Sequence, residues 1–268
     1  MRSISDTSPE EARYNQLLKC VFCGDDLHHG EWMMNAAERA TLTHLVSIRQ
    51  PDVCIEVGTH QGGSLRPLAR YSKQVISIDI DPNVVESLKS SFTNVDFRTG
   101  DSQQILPQIL EQLADEDAAL GFVLVDGNHS REGVRTDLNN LLAYTPREPL
   151  YIVCHDSGQP ECRLGMQEAN WHDNPYVHYV ELDFVPGVLA SSPQTYRQMW
   201  SGFALGVMLP EKRKGDLEIG RYRQLQFETL FRKSIHSDIT TVLKCRVSKW
   251  RETASKISWL RRMYHSLR

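Results

Sequence analysis

The chain has 268 residues, of which 40% are hydrophobic and 24% charged, the composition of a globular protein large enough for one α/β domain with additions. No window approaches the roughly 18 to 20 apolar residues of a membrane span, and the start MRSISDTSPEEAR lacks a signal peptide's apolar stretch, so a cytoplasmic location is expected. Six scattered cysteines exclude a small disulfide-dense secreted domain, and the net charge of −4 conceals an asymmetry: residues 211–268 hold 15 Lys/Arg against 6 Asp/Glu, so that this tail is +9 and the remainder −13.

The spacing of Ala36, Leu42, Leu45 and Val46 predicts a helix from Asn35 to about Ile48, ended by Pro51. The run Val53–Gly58 reads as a buried first strand, followed by a glycine-rich turn and a short helix to about Tyr71. Strand and helix then alternate: strand Val75–Ile80, helix Asn83–Ser90, strand Val95–Arg98, helix 103–114, strand Gly121–Asp126, helix 131–143 and strand Leu150–Cys154. This alternation predicts a Rossmann-like, doubly wound, mostly parallel α/β sheet. Segments 176–185 and 202–209 read as two further strands joined by a Pro/Ser-rich loop, an antiparallel pair at one sheet edge. In the tail, Leu243, Val247, Trp250, Ala254, Ile257, Tyr264 and Leu267 recur at helical steps through a basic sequence and predict an amphipathic C-terminal helix. The organisation expected is therefore a helical lid segment over 1–34, a Rossmann-like domain over 35–210 and a basic helical extension over 211–268.

In an open parallel sheet a ligand sits beyond the carboxyl ends of the strands, and here those ends are polar. The first strand runs into Glu56-Val57-Gly58-Thr59-His60-Gln61-Gly62-Gly63-Ser64, where glycines allow close backbone approach to a ligand. This is not the GxGxxG spacing that receives a pyrophosphate, and Glu56 inside the turn favours a cationic ligand. Asp79, about twenty residues later at the second strand's end, is placed to accept hydrogen bonds from ribose hydroxyls, and Gly100-Asp101-Ser102-Gln103 from an adenine edge. Adenosine at one end and an ammonium-bearing cation at the other describes S-adenosylmethionine. Glu56, Gly58, Thr59, Gly62, Ser64, Asp79, Asp101 and Ser102 are the expected cofactor-binding residues.

These segments, with Ile78-Asp79-Ile80-Asp81-Pro82, resemble the motifs of class I methyltransferases across roughly residues 30–210. Glu31-Trp32-Met33-Met34-Asn35 is similar to the corresponding segment of catechol-type O-methyltransferases, while Asp126-Gly127-Asn128-His129-Ser130 and His155-Asp156-Ser157 resemble macrocin O-methyltransferase and cephalosporin-hydroxylase relatives. The resemblance implies methyl transfer to a hydroxyl of a sugar, polyketide or phenolic metabolite. It places Asp126, His155 and Asp156 where family members hold a divalent metal, Mg²⁺ or Mn²⁺, although His155 stands where an acidic residue is usual. His129 matches the position of the catechol-type lysine base, which makes His129 and Asp126 the expected catalytic pair; a helix-capping role for His129 is the competing reading. His60 and Arg163 are further candidates for lining the site.

Other signals carry less. Cys20-x-x-Cys23 with His28 and His29 lacks the second well-spaced pair of a zinc site, and Trp32, Met33 and Met34 suit either lid or core. The basic helix suits homo-oligomer or partner packing first, then peripheral membrane contact, whereas the −13 body argues against nucleic acid. Two rival classes stay open: a non-methylating, hydroxylase-like relative, and a catalytically silent binding module that assembles through the tail.

Overall fold

The structure, a computed structural model, describes residues 32–237. The Cys20/Cys23 pair and the amphipathic helix expected beyond residue 238 lie outside them.

Helix α1 (Ala36–Arg49) begins at a capping box: Asn35 Oδ1 accepts from the backbone N–H groups of Ala37 and Glu38, and Glu38 returns a carboxylate oxygen to the Asn35 N–H at 2.6 Å. It ends at Gln50 in left-handed conformation, just before Pro51. There follow β1 (Val53–Val57), α2 (Leu65–Tyr71), β2 (Gln74–Asp79), α3 (Pro82–Leu88), β3 (Val95–Thr99), α4 (Ser102–Asp115), β4 (Leu120–Val125), α5 (Arg131–Leu141) and β5 (Leu150–His155). Strands β1 and β4 are buried at every residue, the pattern of parallel strands covered on both faces.

Downstream lie α6 (Pro160–Glu168), β6 (Val177–Val185), the short β7 (Val188–Leu189) and β8 (Met199–Trp200), β9 (Phe203–Met208), β10 (Ile219–Gly220) and α7 (Gln224–Lys233). Eight strands form one sheet in the order β10-β6-β9-β5-β4-β1-β2-β3, and β7 pairs with β8 in a separate hairpin. The parallel, doubly wound order around β1 and β4 is as the sequence predicts. The two late strands do pair antiparallel with each other, and the sheet gives the detail: β9 lies between β5 and β6, with His155 opposite Phe203 on one side and Val185 opposite Phe203 on the other. The margin itself is the two-residue β10, parallel to β6 and drawn from residues that the sequence assigns to the basic extension. Helix α6 is not among the elements that the sequence predicts. It starts on Pro160 with Gln159 capping the Cys162 N–H at 2.7 Å.

Helices α4, α5 and α6 bury Leu106, Leu110, Leu138 and Met166 against one face of the sheet, and α1 and α2 bury Leu42, Val46, Leu65 and Leu68 against the other. Each fully buried leucine contributes roughly 2 kcal/mol. The order in which strands are added reverses between the parallel neighbours β1 and β4, so the crevice beyond Val57 and Val125 is where this architecture offers a ligand site. No helix among the described residues is long and apolar enough to cross a membrane.

Candidate active site

The turn after β1 is built from hydrogen bonds that converge on two acids. Asp79, at the end of β2, accepts from the backbone N–H groups of Thr59 (3.0 Å) and His60 (2.9 Å) through one oxygen and from that of Asp81 (2.9 Å) through the other. Glu56 is fully buried, with the Ser64 and Ser77 hydroxyls each donating at 2.7 Å, while Thr59 Oγ1 lies 2.6 Å from Ser77 Oγ. Burial raises Glu56 to about 8, even though both serines pull the other way. Gly58 has φ of +89°, and a Cβ there would lie 2.1 Å from the Asp126 carbonyl oxygen, so the turn and the end of β4 press together backbone to backbone. Gly62, also at positive φ, closes the turn through a 2.9 Å bond from its N–H to the Thr59 carbonyl.

Asp101 caps α4 through the Gln103 N–H, and Ser102 donates to the buried Asp137 at 2.8 Å. Asp79 and Ser102 remain partly exposed, Asp101 is exposed, and Ile80, next after Asp79, is 76% exposed at the same end of the sheet. A carboxylate, an exposed apolar side chain and a polar helix start therefore lie at one end of the sheet, a set with the chemistry to take a nucleoside.

The ends of β4 and β5 carry a denser charge cluster. Asp126 Oδ1 is 2.8 Å from His155 Nδ1 and 3.5 Å from His129 Nε2, which in turn lies 3.1 Å from Asp156 Oδ2. Asp156 sits in left-handed conformation at φ of 58°, and its Oδ1 accepts from the Ser201 N–H at 2.6 Å. The second nitrogen of His155, Nε2, is 3.1 Å from Oε1 of Glu38, a fully buried side chain reaching in from α1. Burial opposes charge on His155, but Asp126 and Glu38 outweigh it and set its pKa well above the ordinary imidazole value. Burial would likewise raise Asp126; the two imidazoles more than offset it and hold the carboxyl at about 2. Hydrogen bonds to Asp126 and Asp156 raise His129 to about 9.

The sequence-derived ligand set is thereby rearranged. Donor atoms of Asp126, His129 and Asp156 lie within 4.8 Å of one another, a group with the chemistry to hold a divalent ion, while His155 is engaged by a carboxylate at each nitrogen. His60 lies exposed on the turn. Arg163 does not line the opening: at 2% exposure it is turned inward, donating to Asp183 at 2.7 Å and 3.1 Å and to Gln224, with the ring of Phe227 4.2 Å from its guanidinium carbon. An arginine this deep needs such partners, and it finds them on β6 and α7.

Sequence reasoning missed Glu38. Its only signal is the Asn35-x-x-Glu38 capping box, which announces a helix start and not a second role. It also missed the rim. Trp200 on β8 meets His129 edge to face at 5.9 Å, and the β7–β8 hairpin is fixed where the chain crosses itself at Gly158, Gly187 and Gly202. A Cβ on Gly158 would lie 2.7 Å from the Gly187 Cα, and one on Gly202 would lie 2.7 Å from Ser157 Oγ.

Comparison with known proteins follows the same lines. Residues 55–157 match the methyltransferase domain family. A segment of 117 residues is 28% identical to an uncharacterized RNA methyltransferase of Oceanobacillus iheyensis, covering 41% of this chain and 24% of that protein, so the match spans about a quarter of the relative's length. Among solved structures, a Klebsiella pneumoniae protein assigned as an O-methyltransferase superposes with a TM-score of 0.50 at 19% identity, over 74% of this chain and 96% of its own. A Bacillus cereus O-methyltransferase in complex with S-adenosylhomocysteine gives a TM-score of 0.49 at 14% identity, over 77% and 93%. The Klebsiella protein shares the fold, and the matched family adds the chemistry that the turn and the strand ends suggest. Residues 55–157 thus resemble a methyltransferase domain, carried on a Rossmann-like sheet that the Klebsiella protein shares.

Proposed function

We propose that the chain methylates a hydroxyl oxygen of a small metabolite, a sugar, polyketide or phenol, at the outer ends of β4 and β5. The observation that carries this reading is the convergence of Asp126, His129 and Asp156 within 4.8 Å at that end of the sheet. A hydroxyl becomes an effective nucleophile only as its proton leaves, and this cluster offers proton acceptors at the place where the acceptor has to lie. The RNA substrate in the name of the Oceanobacillus relative has less support here, because residues 1–210 carry a net charge of −13 where a nucleic acid needs a basic face.

In this reading Asp79 receives the ribose hydroxyls, Ile80 flanks the purine, and Asp101 and Ser102 meet its edge. S-adenosylmethionine, when bound, supplies the electrophilic methyl on a sulfonium. Glu56, buried behind the turn, provides negative potential for the ammonium group, and that cation draws its raised pKa back down. Gly58 keeps the turn against β4, which sets the distance between donor and acceptor sides.

Two carboxylates and an imidazole suit Mn²⁺ as well as Mg²⁺; a bound ion would supply Lewis-acid depression of the acceptor hydroxyl's pKa. His129 has two uses, as ligand or as the base that takes the acceptor proton, and pH separates them. As a ligand it must first lose its own proton, so apparent Mn²⁺ affinity climbs with pH until about 9. As base without metal, the transfer rate climbs over the same range and is indifferent to chelators.

The deciding experiment is transfer from methyl-labelled S-adenosylmethionine to a panel of phenols, polyketides and sugars, with and without Mn²⁺, with mass spectrometry locating the methyl and Asp79→Ala as control. Label on oxygen that disappears in the control supports the proposal; transfer confined to nitrogen or to RNA overturns it.

A further inference from the structure

We propose that Glu38 is a positioning residue of the acceptor-side site, clamping His155 and through it the Asp126 carboxylate, so that α1 forms part of the reaction centre. For its bearing on methyl transfer the inference rests on the reading above; its structural content does not.

Burying a carboxylate costs several kcal/mol unless its oxygens are met by donors. The capping box accounts for one contact, the 2.6 Å bond from the Asn35 N–H to Oε2, and a capping glutamate ordinarily makes that contact at a solvated helix end. Glu38 is instead 0% exposed, and its other oxygen is directed into the sheet. Oε1 accepts from the Gly202 N–H at 2.5 Å and lies 3.1 Å from His155 Nε2. One side chain thereby joins the start of α1, the end of β5 and the residue that leads into β9.

At its far side the same imidazole is 2.8 Å from Asp126 Oδ1, so the ring is held between carboxylates at both nitrogens. Any rotation of His155 breaks both contacts together. Phe203, edge-on at 5.5 Å, fixes the ring plane as well. Glu38, His155 and Asp126 thus form one row, with the outer member anchored in a helix cap and the inner one facing the acceptor. The arrangement selects one Asp126 rotamer in advance of any ligand, which is the preorganisation that the aligned transfer of a methyl group requires.

The test uses the full chain with ¹⁵N-labelled histidine and reads the His155 N–H resonances and their exchange with water, assigned by their absence in a His155→Gln variant. Glu38→Ala is expected to speed exchange of the His155 protons at least tenfold. Glu38→Gln, whose amide oxygen can still accept from His155 and Gly202, should restore part of the protection. Asn35→Ala, which removes the helix cap and spares the Glu38 contacts, should lower the unfolding temperature while leaving the His155 signals in place. Unchanged His155 signals in both Glu38 variants, or equal loss in Asn35→Ala, would overturn the proposal. Because no acceptor is present, failure of the hydroxyl-methylation reading leaves this outcome unaffected. If Glu38→Ala does not fold, the comparison of Glu38→Gln with Asn35→Ala decides alone.

Discussion

The two halves of the crevice satisfy the acids at their strand ends differently. Around β1 and β2, Glu56 and Asp79 are satisfied by neutral donors: two serine hydroxyls for the one, three backbone N–H groups for the other. Around β4 and β5, Asp126, Asp156 and Glu38 are interleaved with two imidazoles. Neutral donors fix a shape without adding charge, whereas a carboxylate–imidazole cluster can pass protons among its members and responds to metals and to any group that enters it. On the proposed reading the cofactor half is therefore the fixed mould, and the acceptor half is the chemically adjustable part.

Separating the halves by mutation is the strongest test of that contrast. Asp126→Asn is expected to cut methyl transfer by about a hundred- to ten-thousandfold while leaving affinity for S-adenosylhomocysteine within about threefold; a parallel collapse of both in rate assays and calorimetry would mean that the halves are not independent. Gly58→Ala attacks the seam between them, adding a methyl at φ of +89° against the Asp126 carbonyl. A loss of about 3 kcal/mol in urea denaturation is expected, with cofactor binding and transfer falling together.

A pH-dependent effect sharpens the account of Glu56. Because its pKa is raised to about 8 in the fold from an ordinary value of 4.5, its stabilising contribution is complete below pH 4.5, declines as pH rises and is gone above about 8. Ligand-free protein should thus lose up to about 1.4 kcal/mol per pH unit across that window, and Glu56→Gln should flatten the slope in urea titrations at pH 5, 7 and 9. An identical slope in the variant would assign the pH dependence to the histidine cluster instead. Least of all, Ile80→Ala should weaken S-adenosylhomocysteine binding by about 1 kcal/mol with no change in unfolding temperature, which calorimetry and a thermal melt would show.

Much of this was legible in the chain because the parallel core announces itself. Val53–Val57, Gly121–Val125 and Leu150–Cys154 are apolar runs that only doubly covered strands require, and the polar residues that end them lie at one end of the sheet. What periodicity cannot convey is pairing. Strand β9 is apolar on both faces and β6 mixes apolar residues with the buried acids Glu181 and Asp183, and neither pattern predicts that β9 inserts between β5 and β6. Helix α6 carries Gly165 and a buried Arg163 among few apolar residues, and its pattern is too weak to stand out. Side-chain direction is equally hidden: the sequence groups His155 with Asp126 and Asp156 for a metal and gives His129 the proton, and only Glu38, distant in sequence, reveals that His155 is held between two carboxylates.

The glycine crossing beneath the rim has an evolutionary corollary. Gly158, Gly187 and Gly202 let three stretches of backbone touch with no side chain between them, so residues 188–200 leave and rejoin the domain at one fixed junction. Away from that junction the segment's hydrogen bonds run to the end of α7, where Arg197 donates to the Lys233 carbonyl and its own carbonyl accepts from the Ile235 N–H, so it can be exchanged or redecorated without repacking the sheet. If the acceptor lies where we propose, that hairpin with its α7 contacts is the unit to graft, and Trp200, edge to face with His129, is the residue through which a graft would reach the cluster.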